Sequence, residues 1–319
     1  MWFKTIFRRK APRPNQPRPR RASADADAPL FDELFLRRME RLSLQAQRTL
    51  RGNPASGEHP SRHRMPASIF SDHRPYSSGD DLRYLDWNAY ARQEHLLLKL
   101  GEAEQDVHVH LLLDASRSMT IGSASRARLA AQLAGAIGYL TLAHSDRLRI
   151  VPFGPTGMRP FGPVQGKAFT VPMLQYLSDL QPQPETHLAT VIARHAIQHP
   201  QGGIVLLISD LLARDHLAEA LRPLAPPRWQ TVVVHLIDRR DLQPELAGPL
   251  ELVDSESGAT LSLTLDDDTL TAYRQAVAHW RSDLARQCAV RGATYAPVMS
   301  DWPLERQVLP YLRARRLLS

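Results

Sequence analysis

The chain has 319 residues, 43% of them hydrophobic and 23% charged, with a formal net charge of +7 and one cysteine. That length and apolar fraction suffice for one large α/β domain with an extension, and the lone Cys288 excludes an internal disulfide and favours a reducing, cytoplasmic setting. The charge is local: residues 1 to 21 hold eight basic groups and no acid, leaving 32 basic against 33 acidic groups over the rest, so no specific nucleic-acid surface is indicated.

Residues 1–28 read as a basic, Pro-rich leader (Pro12, Pro14, Pro17, Pro19), too polar to build a core and therefore disordered. Two readings stand for its first part. It is either a plain leader, or Trp2, Phe3, Ile6 and Phe7 with Arg8-Arg9-Lys10 lie on an anionic membrane, peripheral at the inner membrane face. Its charges follow the short apolar stretch, unlike those of a signal peptide, and no segment has the roughly 18 consecutive apolar residues of a spanning helix.

Residues 29–103 form a second division: a helical pattern at Leu30–Leu50, expected to pack on the body, and a mixed segment, Gly57–Leu100, with a turn at Gly79-Asp80. Within it Arg74, Arg83 and Arg92 match Asp80, Asp81 and Asp86 in number and spacing. They form either a charged pocket or, the favoured reading, a bidentate salt-bridge network that locks the segment onto the core, with Trp87 and Tyr90 packed underneath.

Residues 104–319 alternate strand and helix, which predicts an α/β domain with a mostly parallel sheet and helices on both faces. The strands are expected at Val107–Leu113, Arg149–Phe153, the run ending at Asp210, Thr231–Ile237 and Thr294–Val298. The helices are expected at Ser125–His144, Val171–Leu180, after Thr186, and at Asp215–Leu221, Thr271–Arg291 and Leu304–Arg315. Gly162–Ala168 has three residues between its glycines where a phosphate loop needs four, and Ala168 where Ser or Thr would bind magnesium; it reads as a turn. His108 and His110 share one face of the first strand, but with no further His or carboxylate cluster at a comparable position they read as part of that face.

The chemistry concentrates where the first strand runs into Asp114-Ala115-Ser116-Arg117-Ser118. Three oxygen-bearing side chains at alternating positions can converge on one hard cation, and the carboxyl edge of an α/β sheet is where ligands gather. Gly203–Ser209, a second apolar run, ends on Asp210, which predicts that carboxylate beside Asp114. Thr186, after Pro182 and Pro184, either caps the following helix or reaches the ion.

With Thr186 and Asp210 downstream, Asp114-x-Ser116-x-Ser118 resembles the metal-ion-dependent adhesion site (MIDAS) of von Willebrand factor A domains. The string from Arg74 to Arg92, with its Gly-Asp-Asp-x-Arg-x-x-Asp-Trp core, resembles the segment preceding the A domain in bacterial domain-of-unknown-function family 58, and Val253–Gly258 is similar to that family's carboxyl end. Thr186 departs from the pattern by following Pro184-Glu185 in place of a Gly-rich string. The resemblance implies a von Willebrand factor A-like, Rossmann-like fold and a divalent cation, Mg2+ first, with Mn2+ and Ca2+ as alternatives. It also implies protein partners, among them a MoxR-type AAA+ ATPase.

The resulting expectation is a non-enzymatic, metal-dependent protein-binding module, its ion held by Asp114, Ser116, Ser118, Thr186 and Asp210 and completed by a partner's carboxylate. Two alternatives stand beside it: a purely structural cation, and a magnesium-dependent phosphatase of haloacid-dehalogenase type. The phosphatase site would need a second carboxylate as general acid, where Ser116 stands.

Overall fold

The computed structural model describes residues 5–9, 29–41, 65–77, 81–82, 85–93, 95–101, 107–121, 126–153, 159–182, 187–212, 216–244, 248–254 and 259–315. The chain divides into two compact units, residues 1–44 with 107–319, and residues 45–106. The smaller unit pairs strands β2 (Met65–Pro75) and β3 (Leu97–Gly101) antiparallel, with helix α2 (Trp87–Gln93) between them. Asp86 caps α2, its Oδ1 accepting from the backbone N–H of Asn88 at 3.0 Å and of Ala89 at 3.2 Å. Trp87 and Tyr90 meet edge to face but are exposed, not packed underneath as expected. On so short a helix Leu85 and Leu98, joined by a bridge, fill the interior instead.

The larger unit is organised by a six-stranded sheet of β4 (His108–Asp114), β5 (Arg147–Phe153), β6 (Phe161–Gln165), β7 (Gly203–Ser209), β8 (Trp229–Ile237) and β11 (Thr294–Met299). Its spatial order is β11-β8-β7-β4-β5-β6, and every pairing is parallel except that of edge strand β6 with β5. The central strands are covered on both faces, which is why β4 and β7 carry the apolar runs Leu111–Leu113 and Ile204–Ile208. Their side chains alternate: Leu111, Leu113, Leu206, Ile208, Val232 and Val234 enter one core, Leu112, Val205, Leu207 and Val233 the other.

Helix α3 (Arg126–Ala143) and helix α4 (Thr170–Ser178) cover the first face, together with helix α1, described over residues 33–41, and α9 (Leu309–Ala314). α3 is Ala- and Leu-rich because it is buried along nearly its whole length, its Gly135 and Gly138 admitting Phe31 and Met173. Helices α5 (Leu188–Gln198), α6 (Leu217–Ala220) and α8 (Asp267–Val290) cover the second face. Burying each core Leu or Ile contributes about 1.5–3 kcal/mol. The α/β class, mostly parallel sheet and two-sided helix cover thus agree with the sequence reading. Among the described residues no helix is long and apolar enough to cross a membrane.

Three segments differ from expectation. Gly162–Ala168 is not merely a turn, since it carries most of β6, where an edge position tolerates Pro163. Thr5–Arg9, placed in the disordered leader, is a strand β1 that pairs with β9 (Gly248–Asp254), which in turn pairs with β10 (Thr260–Leu265). A hydrogen-bonding edge elsewhere in the chain supplies the order that local composition could not. The last helical stretch begins as a π-type turn, Leu304–Val308, before α9.

Candidate functional site

β4 is the first strand of the sheet; the chain steps to β5 on one side and later to β7 on the other, so the β4–β7 edge is the point where strand order reverses. Helices leaving these strands diverge to opposite faces there and open a crevice at the carboxyl ends. Asp114 closes β4 and Asp210 follows directly after β7. Beyond Asp114 the chain tightens into a short 3-10 turn, Arg117–Thr120, so that Ser116 Oγ and Ser118 Oγ lie 2.9 Å apart, both buried. Asp114 Oδ1 accepts the Ser116 backbone N–H at 2.9 Å, and its Oδ2 accepts Ser209 Oγ–H at 2.5 Å.

On the β7 side Leu211 adopts φ 54°, a left-handed turn that costs a non-glycine residue about 1 kcal/mol or more. The turn lets the Leu211 N–H reach Ser209 Oγ and the Leu212 N–H reach Asp210 Oδ1. Asp210 is only 2% exposed, and its Oδ2 has no hydrogen-bond donor among the described residues. The nearest counter-charge is Arg126 at the start of α3, 3.9 Å from Asp210 Oδ2 and itself buried. The Arg126 Nη atoms donate elsewhere: Nη1 to Asp241 Oδ2 at 2.6 Å and Nη2 to the Ser118 carbonyl at 2.8 Å.

Asp210 and Asp241 share the Arg126 guanidinium, and Asp114 lies close enough to Asp210 to feel its charge. Asp238 is the buried N-cap of helix α7 (Arg239–Leu242). His235, which lies close enough to feel Arg126, adds no charge, because burial, then Arg281 and Arg126, press its pKa to about 3 and keep it neutral. Burial, and the Asp210 charge after it, push the Asp114 carboxyl up to about 6 against the pull of the Ser209 and Ser116 hydrogen bonds. Among the described residues the rim thus gathers two buried or half-buried carboxyls, Asp114 and Asp210, with two hydroxyls, Ser116 and Ser118, a donor set made of oxygens.

The expected ligands Asp114, Ser116 and Ser118 are thus gathered at one end of β4, with Asp210 on the adjacent strand end. Thr186 lies outside the described residues. Asp114, Ala115, Ser116, Thr120, Gln181 and Pro182 line a cleft at this rim. Of the expected salt-bridge group, Asp80, Arg83 and the side chain of Arg74 lie outside the described residues, Asp81 and Arg92 are exposed, and Asp86 serves as the α2 cap. Sequence reading missed Ser209, Arg126 and Asp241 at the rim, because none lies in a recognisable spacing with Asp114.

It also misread the histidines. His110 is not isolated: His195 and His199, four apart at the end of α5, meet it from the second face, with His195 Nε2 3.1 Å from His110 Nδ1. The signal was the i, i+4 pair His195/His199 on a helix that packs against the strand face carrying His110.

The family described as "Protein of unknown function DUF58" matches residues 72–283. An uncharacterized protein of Mycobacterium tuberculosis is 26% identical over 256 residues, 79% of this chain and 80% of that protein. Among solved structures, the conserved hypothetical protein BatB from Bacteroides thetaiotaomicron shares 14% identity with a TM-score of 0.39, over 66% of this chain and 98% of that one. A von Willebrand factor type A protein from Catenulispora acidiphila shares 11% identity with a TM-score of 0.38, over 68% of this chain and 42% of that one.

Proposed function

This chain belongs to the DUF58 family, and from the chemistry of its strand-end rim we propose that it is a binding module whose contact with protein partners runs through a divalent cation. The observation that carries the proposal is the Asp210 Oδ2 atom, buried with no hydrogen-bond donor among the described residues, in a rim of oxygen ligands. Such a buried carboxylate is costly unless a cation meets it.

The residues fit the group. Asp114 and Asp210 would hold the ion by charge, with the hydroxyls of Ser116, Ser118 and Thr186 adding neutral oxygen ligands. An all-oxygen set with two carboxylates suits Mg2+ first, and Mn2+ or Ca2+ after it. The ion would supply Lewis acidity toward one more anionic oxygen. A partner presenting an Asp or Glu side chain satisfies that requirement, and a MoxR-type AAA+ ATPase is the partner class that the family resemblance favours. The chain's own residues position the ion: Ser209 orients Asp114, Arg126 draws Asp241 and Ser118 to the same edge, and the strained Leu211 turn fixes Asp210. Ser116 stands where a haloacid-dehalogenase phosphatase needs its acid, so the proposal is for binding and not for catalysis.

Calorimetry of the purified chain with Mg2+ and Mn2+, repeated on Asp114→Ala, tests the site; saturable heats are expected from the wild type only, and equal heats from both proteins refute it. The partner step is read by binding of a purified MoxR-type ATPase with and without chelator, the chelated protein being shown folded by circular dichroism. Binding that survives chelation unchanged removes the ion from the contact.

A further inference from the structure

At the other end of β4, about 13 Å from Asp114 at roughly 3.3 Å per residue, we propose a second metal site, in which His110, His195 and His199 hold a zinc-class transition-metal ion that ties the end of α5 to the sheet. One ring nitrogen from each of the three lies within 4.8 Å of the others. His195, in the last turn of α5, and His199, its C-cap four residues on, bring their rings side by side, and His110 rises to meet them from the strand. The ring centroids confirm the convergence: 4.8 Å for His110–His195, 5.1 Å for His110–His199 and 4.6 Å for His195–His199.

Packing alone leaves this cluster unsatisfied. The Nε2 atom of His199 is buried with no hydrogen-bond partner among the described residues, and an ion between the rings would meet it. Tetrahedral zinc with Zn–N bonds of about 2.0–2.1 Å needs ligand nitrogens about 3.3–3.4 Å apart. The pair His195 Nε2–His110 Nδ1, at 3.1 Å, is already close to that spacing, and one ring nitrogen of His199 lies within 4.8 Å of its neighbours.

The ligand type selects the ion. Three imidazoles without a carboxylate suit zinc, copper or nickel and not the hard Mg2+ of the rim. Arg149, in register with His110 on β5, is a cation facing the cluster, and His108 stacks beside His110. Only ions whose imidazole bonds outweigh that repulsion will enter. Trp229 lies 5.2 Å from the His110 ring and 5.9 Å from the His195 ring, close enough to report occupancy.

The test uses the full chain, stripped with chelator and titrated with Zn2+ alone by calorimetry, and with Co2+ followed by visible absorption. One equivalent is expected to bind the wild type and Asp114→Ala alike, with the cobalt band of a tetrahedral, nitrogen-rich site. His195→Gln and His199→Gln are each expected to bind at least about 100-fold more weakly, by comparison with the 10–100-fold cost of losing a ligand's supporting partner. His199 is half-buried at a helix end, so its variant keeps the fold, checked by circular dichroism. Unchanged affinity in folded His199→Gln, or a wild type with no saturable Zn2+ binding and no tetrahedral cobalt band, overturns the proposal.

Discussion

Replacing Asp114 with asparagine should stabilise the metal-free protein while abolishing its response to magnesium. The folded-state pKa of Asp114 rises from 3.8 to about 6, chiefly through burial and then through the Asp210 charge. A carboxyl raised in this way binds its proton more tightly in the fold than in the unfolded chain. Ionising it therefore destabilises the fold progressively from about pH 3.8 to pH 6, and the full penalty of about 3 kcal/mol is present at pH 7 and above. Asparagine keeps the Ser116 N–H acceptor but meets Ser209 Oγ with an NH2 group, losing about 1 kcal/mol for the rearranged hydrogen bond. The net gain is about 2 kcal/mol, or about 4–8 °C in Tm. Differential scanning calorimetry in chelator at pH 7.5 reads it, and the advantage should shrink at pH 4.5, where the wild-type carboxyl is protonated. Magnesium at 100 times its Kd should add about 2.7 kcal/mol to the wild type alone and reverse the order. A variant that melts below the wild type in chelator, by the same margin at both pH values, or that responds equally to magnesium, would refute the electrostatic account of the rim.

His110, His195 and His235 have folded pKa values near 3 against an ordinary 6.5. The unfolded chain takes up protons first as pH falls through 6.5, so stability should drop by up to about 1.4 kcal/mol per pH unit for each histidine, continuing until about pH 3. Asp114 opposes this with the reverse slope of one group, and urea titrations between pH 7.5 and 5 should still show a clear net loss. Arg126→Leu strips Asp210 and Asp241 of their buried counter-charge and should cost about 3–5 kcal/mol in chelator, partly restored by magnesium in denaturation curves. Gly203→Ala places a methyl against the His108 backbone carbonyl from a φ of 144°, where neither strand can yield cheaply; a loss of about 2–3 kcal/mol is expected in thermal melts.

Both the order of layers and the rim were legible in the chain, for a physical reason. A strand covered on both faces is mostly apolar, so Val109–Leu113, broken only by His110, and Ile204–Ile208 announce themselves, and the carboxylates just past them, Asp114 and Asp210, emerge at the same edge of the sheet. The Ser116 and Ser118 positions followed from local spacing alone. Tertiary structure decided what local spacing does not encode. Arg126 enters the rim only because α3 folds back over the first face of the sheet, and Ser209 meets Asp114 only because β7 lies in register beside β4. Edge pairing placed Thr5–Arg9 on β9, a partner about 245 residues away that no composition argument could supply. The histidine cluster shows the same division most sharply. His195 and His199 share a helix face by sequence, but their meeting with His110 depends on α5 packing on the second face of the sheet, a contact set by core burial across 85 residues of chain.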